Sequence, residues 1–91
     1  MKYKIGDWIV YIDKEWSKRR KELKGISLYE KIAKIIYIDS DSWPYLIEFK
    51  ENINGHTGNG RGKEGYCLWC TTKQEITLYK DYFKLKKFIE G

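Results

Sequence analysis

The chain has 91 residues, of which 42% are hydrophobic and 16% aromatic, so it is long enough for one small domain with one modest core. Its net charge of +5 is compatible with nucleic acid or an acidic protein as a partner. The same charge is equally compatible with a lysine-rich surface that only contacts solvent. No apolar segment is long enough for a signal peptide or a membrane span, and two cysteines are too few for a secreted disulfide framework, so we expect a cytoplasmic protein.

The first quarter of the chain predicts a strand followed by a helix. Residues 4–12 are rich in β-branched and aromatic side chains, which predicts strand one. Residues 13–25 change character, because they contain many helix formers and no β-branched residue. Asp13 is a suitable N-cap and Gly25 a suitable stop. So short a helix is marginal unless its tryptophan and its leucine, Trp16 and Leu23, dock on the core.

The rest of the chain predicts four more strands and a long loop. β-Branched and aromatic residues predict strands at 31–39, 45–50, 66–71 and 75–79. The glycine-rich segment 51–65 is predicted to be a hairpin loop that leads into the fourth of the five strands. In the C-terminal tail, residues 80–91, apolar residues recur at roughly helical spacing. The sequence is compatible there with either a short helix or an edge strand.

Five short strands with a long first connection predict a mainly β (α+β) fold. The succession GDWIVYI, IAKIIYID, PYLIEFK, GYCLWC and EITLY, with TKQ as a tight turn, resembles an SH3-like β-barrel. Small proteins of phages and mobile elements often share this pattern, with a glycine-rich hairpin before an aromatic strand. The resemblance implies one five-stranded SH3-like domain over 1–91, with a helical insertion at 13–25, the Gly-rich loop 51–65 and a C-terminal helix or strand at 80–91.

The expected core of this domain combines large side chains from four of the strands. It is predicted to contain Trp8, Ile35, Leu46, Phe49 and Leu68. SH3-like barrels usually bind peptides, proteins or nucleic acid, so the resemblance implies a binding module without naming its partner.

A G-x-G-x-x-G pattern at Gly60, Gly62 and Gly65 suggests a nucleotide site at first sight. In such a site the glycines follow a strand and open a helix whose N-terminal amides hold the phosphates. Here a predicted strand follows the last glycine, and no βαβ unit fits in the remaining residues. The pattern is therefore interpreted as backbone freedom in a loop, and no nucleotide cofactor is predicted.

The Cys-x-x-Cys pair raises the question of a redox or metal site. Cys67 and Cys70 fall in a predicted strand, where residues three apart point to opposite faces. They cannot easily bridge or share one ion, and His56 is the only histidine available as a third zinc ligand. We interpret both cysteines as packed core side chains, and we predict no metal.

The sequence also offers little to a catalytic mechanism. His56 is the only histidine, and it lies in a predicted loop with no group to orient it. Asp39 and Asp41 form a carboxylate pair, but Asp-Ser-Asp-Ser before Trp-Pro is characteristic turn chemistry. We therefore predict that the chain is not an enzyme.

Two classes of partner remain. The positive charge is concentrated in residues 14–24 and 80–91. The first hypothesis is a module that docks on a protein or a protein–nucleic-acid complex, including a phage-encoded inhibitor of a host defence nuclease. The alternative is a protein that binds nucleic acid directly through residues 18–24 and the glycine-rich loop. For both hypotheses the candidate contact residues are Lys18, Arg19, Arg20, Lys21, Lys24, His56, Arg61 and Lys63.

Overall fold

The computed structural model describes residues 3–40, 43–70, 76–82 and 84. Five strands and one long helix account for the named elements: β1 (Trp8–Tyr11), α1 (Lys14–Lys24), β2 (Ile32–Ile38), β3 (Tyr45–Phe49), β4 (Cys67–Cys70) and β5 (Ile76–Leu78). The strands form one antiparallel sheet in the order β4-β3-β2-β1-β5. The mainly β prediction is confirmed.

The helix α1 begins and ends where its capping residues predict. The Asp13 carboxylate accepts a hydrogen bond from the backbone N–H of Trp16 at 2.9 Å, which satisfies one free amide of the first turn. Gly25 adopts a left-handed φ of 78°, and its N–H donates to the carbonyl of Lys21 at 2.8 Å. A side chain at Gly25 would strain this conformation, so glycine ends the helix here.

One face of the sheet, here called the inner face, carries the hydrophobic core. Trp16 of α1 packs against this core, so the helix lies on the inner side. Strand residues alternate between faces, and those that point inward share the core with apolar residues from the connections. The core cluster consists of Tyr3, Ile9, Tyr11, Leu28, Ala33, Ile35, Tyr45, Ile47, Phe49, Ile53, Leu68, Cys70 and Ile76.

The predicted barrel is not confirmed, because the sheet is not closed. In the described part of the chain, β4 and β5 stand at opposite edges and no ladder joins them. The predicted tight turn at 72–74 lies outside the described residues. Residues 79–82 and 84 are helical, which favours the helix for the part of the tail that can be seen.

One expectation about burial is wrong, and one of the two helix residues that could dock does not. Trp8 is not a core residue, since 42% of it is exposed on the face opposite the core. Leu23 of α1 is 73% exposed and does not dock. Ile35, Phe49 and Leu68 are buried in the core as predicted, whereas Leu46 is buried on the other face of the sheet.

Candidate binding surface

The face of the sheet opposite the core, here called the outer face, has an unusual row of side chains. The strand register pairs Trp8 of β1 with Lys34 of β2, Lys34 with Glu48 of β3, and Glu48 with Cys67 of β4. Residues that face each other across an antiparallel sheet share one side of it. An aromatic ring, a cation and a carboxylate therefore stand side by side on the outer face.

Two lysines gather around the exposed indole of Trp8. The Nζ atom of Lys34 lies 5.5 Å from the ring centroid, and the Nζ atom of Lys50 lies 5.0 Å from it. Both distances are within the range of cation–π attraction. These three residues are called the Trp8 cluster, and both lysines are exposed.

The glycine-rich loop folds back over the outer face beside this cluster. A Cβ atom at Gly58 would lie 2.3 Å from a methyl of Leu46, and one at Gly62 would lie 2.4 Å from the Cys67 sulfur. These glycines therefore serve close packing of the loop on the sheet. The backbone N–H of Lys63 donates to the Glu48 carboxylate at 2.9 Å, which fixes the far end of the loop.

The loop adds a second cation–aromatic group to the outer face. The Arg61 guanidinium carbon lies 4.0 Å from the ring centroid of Tyr37, and Tyr37 meets Trp69 edge to face. The Lys63 ammonium lies 4.4 Å from the ring of Tyr66. The outer face thus has three exposed cations within reach of its aromatic rings, Lys34, Lys50 and Arg61, and Lys63 makes a fourth such contact within the loop. The cationic–aromatic surface is defined here as Trp8, Lys34, Tyr37, Lys50, Arg61 and Lys63.

The first half of the loop protects the edge of the sheet. His56 and Cys67 exchange two backbone hydrogen bonds of 3.1 Å, which extends pairing beyond β4. The His56 ring nitrogen Nδ1 accepts from the N–H of Gly58 at 2.8 Å. Burial, together with the positive charge of Arg20, lowers the pKa of His56. His56 is therefore neutral near pH 7 and brings no positive charge to a partner.

Arg20 differs from the other predicted contact residues of the helix. It is half-buried, and its Nη2 atom donates to the carbonyl oxygens of Ile53 and Asn54 at 3.1 and 3.0 Å. The Asn54 side chain in turn donates to the carbonyl of Lys24 at 3.2 Å. Arg20 thus ties α1 to the loop, although the sequence predicts it as a contact residue for a partner.

The structure divides the predicted contact residues between two surfaces. Lys18, Arg19, Lys21 and Lys24 are exposed along α1, which packs on the inner face of the sheet. Arg61 and Lys63 lie on the outer face with the Trp8 cluster. The basic helix therefore packs on the inner face of the sheet, whereas the tip of the loop packs on the outer face.

The two cysteines are placed as the alternation of a strand predicts. Cys70 belongs to the core, whereas Cys67 faces outward and its thiol donates to Glu48 and to the carbonyl of Lys63. Burial, followed by the charge of Glu48, raises the pKa of Cys67 to about 11. Burial also raises the pKa of Cys70, with Asp13 adding to the effect. Both remain neutral thiols at neutral pH, which disfavours nucleophilic attack by either sulfur.

The described residues offer no other chemistry that would identify the protein. They contain no group of three or more His, Cys, Asp or Glu residues that could hold a metal ion. Neither α1 nor any other helix in that part of the chain has the length and apolar character of a membrane span. No protein family, curated protein or solved structure matches the chain. The geometry of the surface is therefore the guide to function.

Sequence reasoning missed the Trp8 cluster. Its three members are far apart in the chain and come from two strands and the residue after a third. Alternation places Lys50 on the same side of the sheet as Glu48, and that signal is present in the sequence. The side that Lys34 takes depends on the register between β2 and β3. The position of Trp8 against them depends on the register between β1 and β2, which the sequence does not reveal.

Proposed function

We propose that this chain is a non-catalytic binding module that docks on nucleic acid, alone or within a protein–nucleic-acid complex, through its cationic–aromatic surface. An SH3-like relationship is part of this proposal, and the narrower hypothesis of a phage-encoded nuclease inhibitor stays a prediction. Both cysteines are buried and their raised pKa values keep them protonated at neutral pH, which supports a binding role over nucleophilic catalysis by a thiolate.

The observation that carries the proposal is the pairing of cations with aromatic rings on one open sheet face. Lys34 and Lys50 meet Trp8, and Arg61 meets Tyr37. Cations bind the phosphates of a nucleic acid, and aromatic rings stack on its bases. A nucleic acid can therefore contact both the cations and the rings of this surface. The one carboxylate in the middle, Glu48, already accepts from the Lys63 amide and faces the Cys67 thiol.

The basic side of α1 is the competing surface. Lys18, Arg19, Lys21 and Lys24 are exposed there, and the cation–aromatic contact described on this helix is made by Lys14 at its first residue, 5.5 Å from the ring centroid of Tyr29. A helix face with solvated lysines is common on soluble domains. We therefore assign α1 a general electrostatic contribution and the outer face the contact itself.

The test compares two surfaces at the same net charge. One variant carries Lys34→Gln and Lys50→Gln, and its control carries Lys18→Gln and Lys21→Gln, so each loses two positive charges. Anisotropy of labelled oligonucleotides at 50 and 200 mM salt measures the affinity. We expect the outer-face variant to bind about tenfold more weakly and with a salt slope lower by about one to two, since each lost phosphate contact lowers the slope by about 0.7–0.9.

The control should lose much less affinity, because its lysines act only at a distance. A larger loss of affinity in the control than in the outer-face variant would mean that the binding site is on α1. Absence of binding by the unmodified protein at 50 mM salt would contradict nucleic acid as the partner, and a protein partner would then be the remaining hypothesis.

A further inference from the structure

We propose that a cleft beside Trp8 holds an unpaired nucleobase, so that the binding surface prefers single-stranded to double-stranded nucleic acid. This inference rests on the proposed function and specifies the partner of the same surface.

The cleft lies at the end of the sheet where β1 begins and β5 ends. It has a volume of about 510 Å³, which is within the range of small-ligand sites in proteins. The turn before β1 forms one wall, and the residues at the end of β5 form the other. The lining of the cleft includes Lys4, Asp7, Trp8, Tyr79 and Lys80.

Two exposed aromatic rings belong to the lining of this cleft. Trp8 is 42% exposed and Tyr79 is 40% exposed, so a substantial part of each residue is accessible to solvent. Stacking on such rings is the usual way in which proteins hold unpaired bases, and it tolerates any base sequence.

Positively charged side chains lie on both sides of Trp8, where they could bind the phosphates of a nucleotide. β1 lies between β2 and β5 in the sheet, so Lys34 and Lys50 approach the indole from one side and the cleft opens on the other. A base in the cleft would leave its phosphates near these lysines, and Lys4 and Lys80 supply positive charge at the cleft itself.

Asp7 makes the cleft selective for the base over the phosphate. One oxygen of its carboxylate already accepts from the backbone N–H of Lys4 at 2.9 Å. The carboxylate repels a phosphate, whereas it can accept a hydrogen bond from the exocyclic amino group of adenine, cytosine or guanine. A paired base cannot enter, because its edge and both of its faces are occupied within the duplex.

The experiment measures binding of one labelled sequence in three forms: single-stranded DNA, single-stranded RNA and the DNA duplex, all at 50 mM salt. Unmodified protein should bind both single strands at least tenfold more tightly than the duplex. Trp8→Ala should weaken single-strand binding about tenfold and leave duplex binding nearly unchanged, since loss of one stacked base has an effect of this order.

Three further variants separate stacking from other effects. Trp8→Phe retains an aromatic ring and should retain the single-strand preference, while Tyr79→Ala should reduce it. Trp43→Ala is the control, because Trp43 is 46% exposed but does not line the cleft. Far-ultraviolet circular dichroism establishes that each variant is folded.

The outcomes distinguish this inference from the proposed function. Equal affinity for single strands and duplex would overturn the cleft as a base site and leave the outer face as a nucleic-acid surface. Equal losses from Trp8→Ala and Trp43→Ala would also overturn it. No binding of any form would refute both proposals together.

Discussion

Replacing Gly55 by alanine is expected to lower the free energy of unfolding by about 3 kcal/mol, which is the upper end of the range for overpacked sites. A Cβ atom at this position would lie 2.2 Å from the carbonyl oxygen of Cys67. That oxygen accepts from the N–H of His56 at 3.1 Å, and Cys67 itself pairs with Glu48 in the sheet. The backbone of β4 cannot retreat without losing these contacts.

Urea unfolding monitored by tryptophan fluorescence measures this effect. The matched control is Gly60→Asn, because Gly60 has open space around its Cα and a left-handed φ of 83°. Asparagine already occupies this region of backbone space at Asn59, where φ is 61°. We expect the control to change stability by less than about 1 kcal/mol. A stable Gly55→Ala protein would mean that the loop does not pack on β4 in this way.

Replacing Arg20 by methionine is expected to cost about 2–3 kcal/mol of stability. The substitution keeps the length and the apolar stem of the side chain but removes the donors that reach the carbonyl oxygens of Ile53 and Asn54. Hydrogen bonds from a charged donor contribute about 1.5–3 kcal/mol, and two acceptors would be left without their partner. Burial lowers the pKa of Arg20, which is the signature of a guanidinium drawn out of water.

Arg19 provides the matched control for Arg20, since it is the adjacent arginine on the exposed side of α1. Arg19→Met should change the free energy of unfolding by no more than about 0.5 kcal/mol, as exposed substitutions usually do. Thermal and urea unfolding of both variants check the difference. Similar stabilities for the two would contradict the role of Arg20 in joining the helix to the loop.

The sequence predicted well those features that depend on local chemistry. Asp13 and Gly25 bound α1 as expected, because a cap needs only a side-chain acceptor or a left-handed residue at one position. The strands also lie where β-branched and aromatic residues cluster, and the alternation of faces placed Cys67 and Cys70 correctly. The start of β3 was predicted correctly, whereas the other predicted strand ends that fall on described residues were one to four residues too long. Residues at the ends share the composition of the strand.

Features that depend on distant parts of the chain were predicted poorly. Closure of the sheet depends on whether its two edge strands meet, and composition does not reveal this. Trp8 was expected in the core because large aromatic residues usually are, but the register aligns it with Lys34 instead. Glycines were expected to give the loop freedom, whereas Gly55, Gly58 and Gly62 allow it to pack closely on the sheet.

The central claim is that the outer face of the sheet, with its cationic–aromatic surface, is where the partner binds. The most direct test is a titration of ¹⁵N-labelled protein with a short single-stranded oligonucleotide, followed by heteronuclear NMR. We expect the largest backbone shifts at Trp8, Lys34, Lys50, Arg61 and Lys63, with little change along α1. Shifts concentrated in residues 18–24, or none at low salt, would contradict the claim.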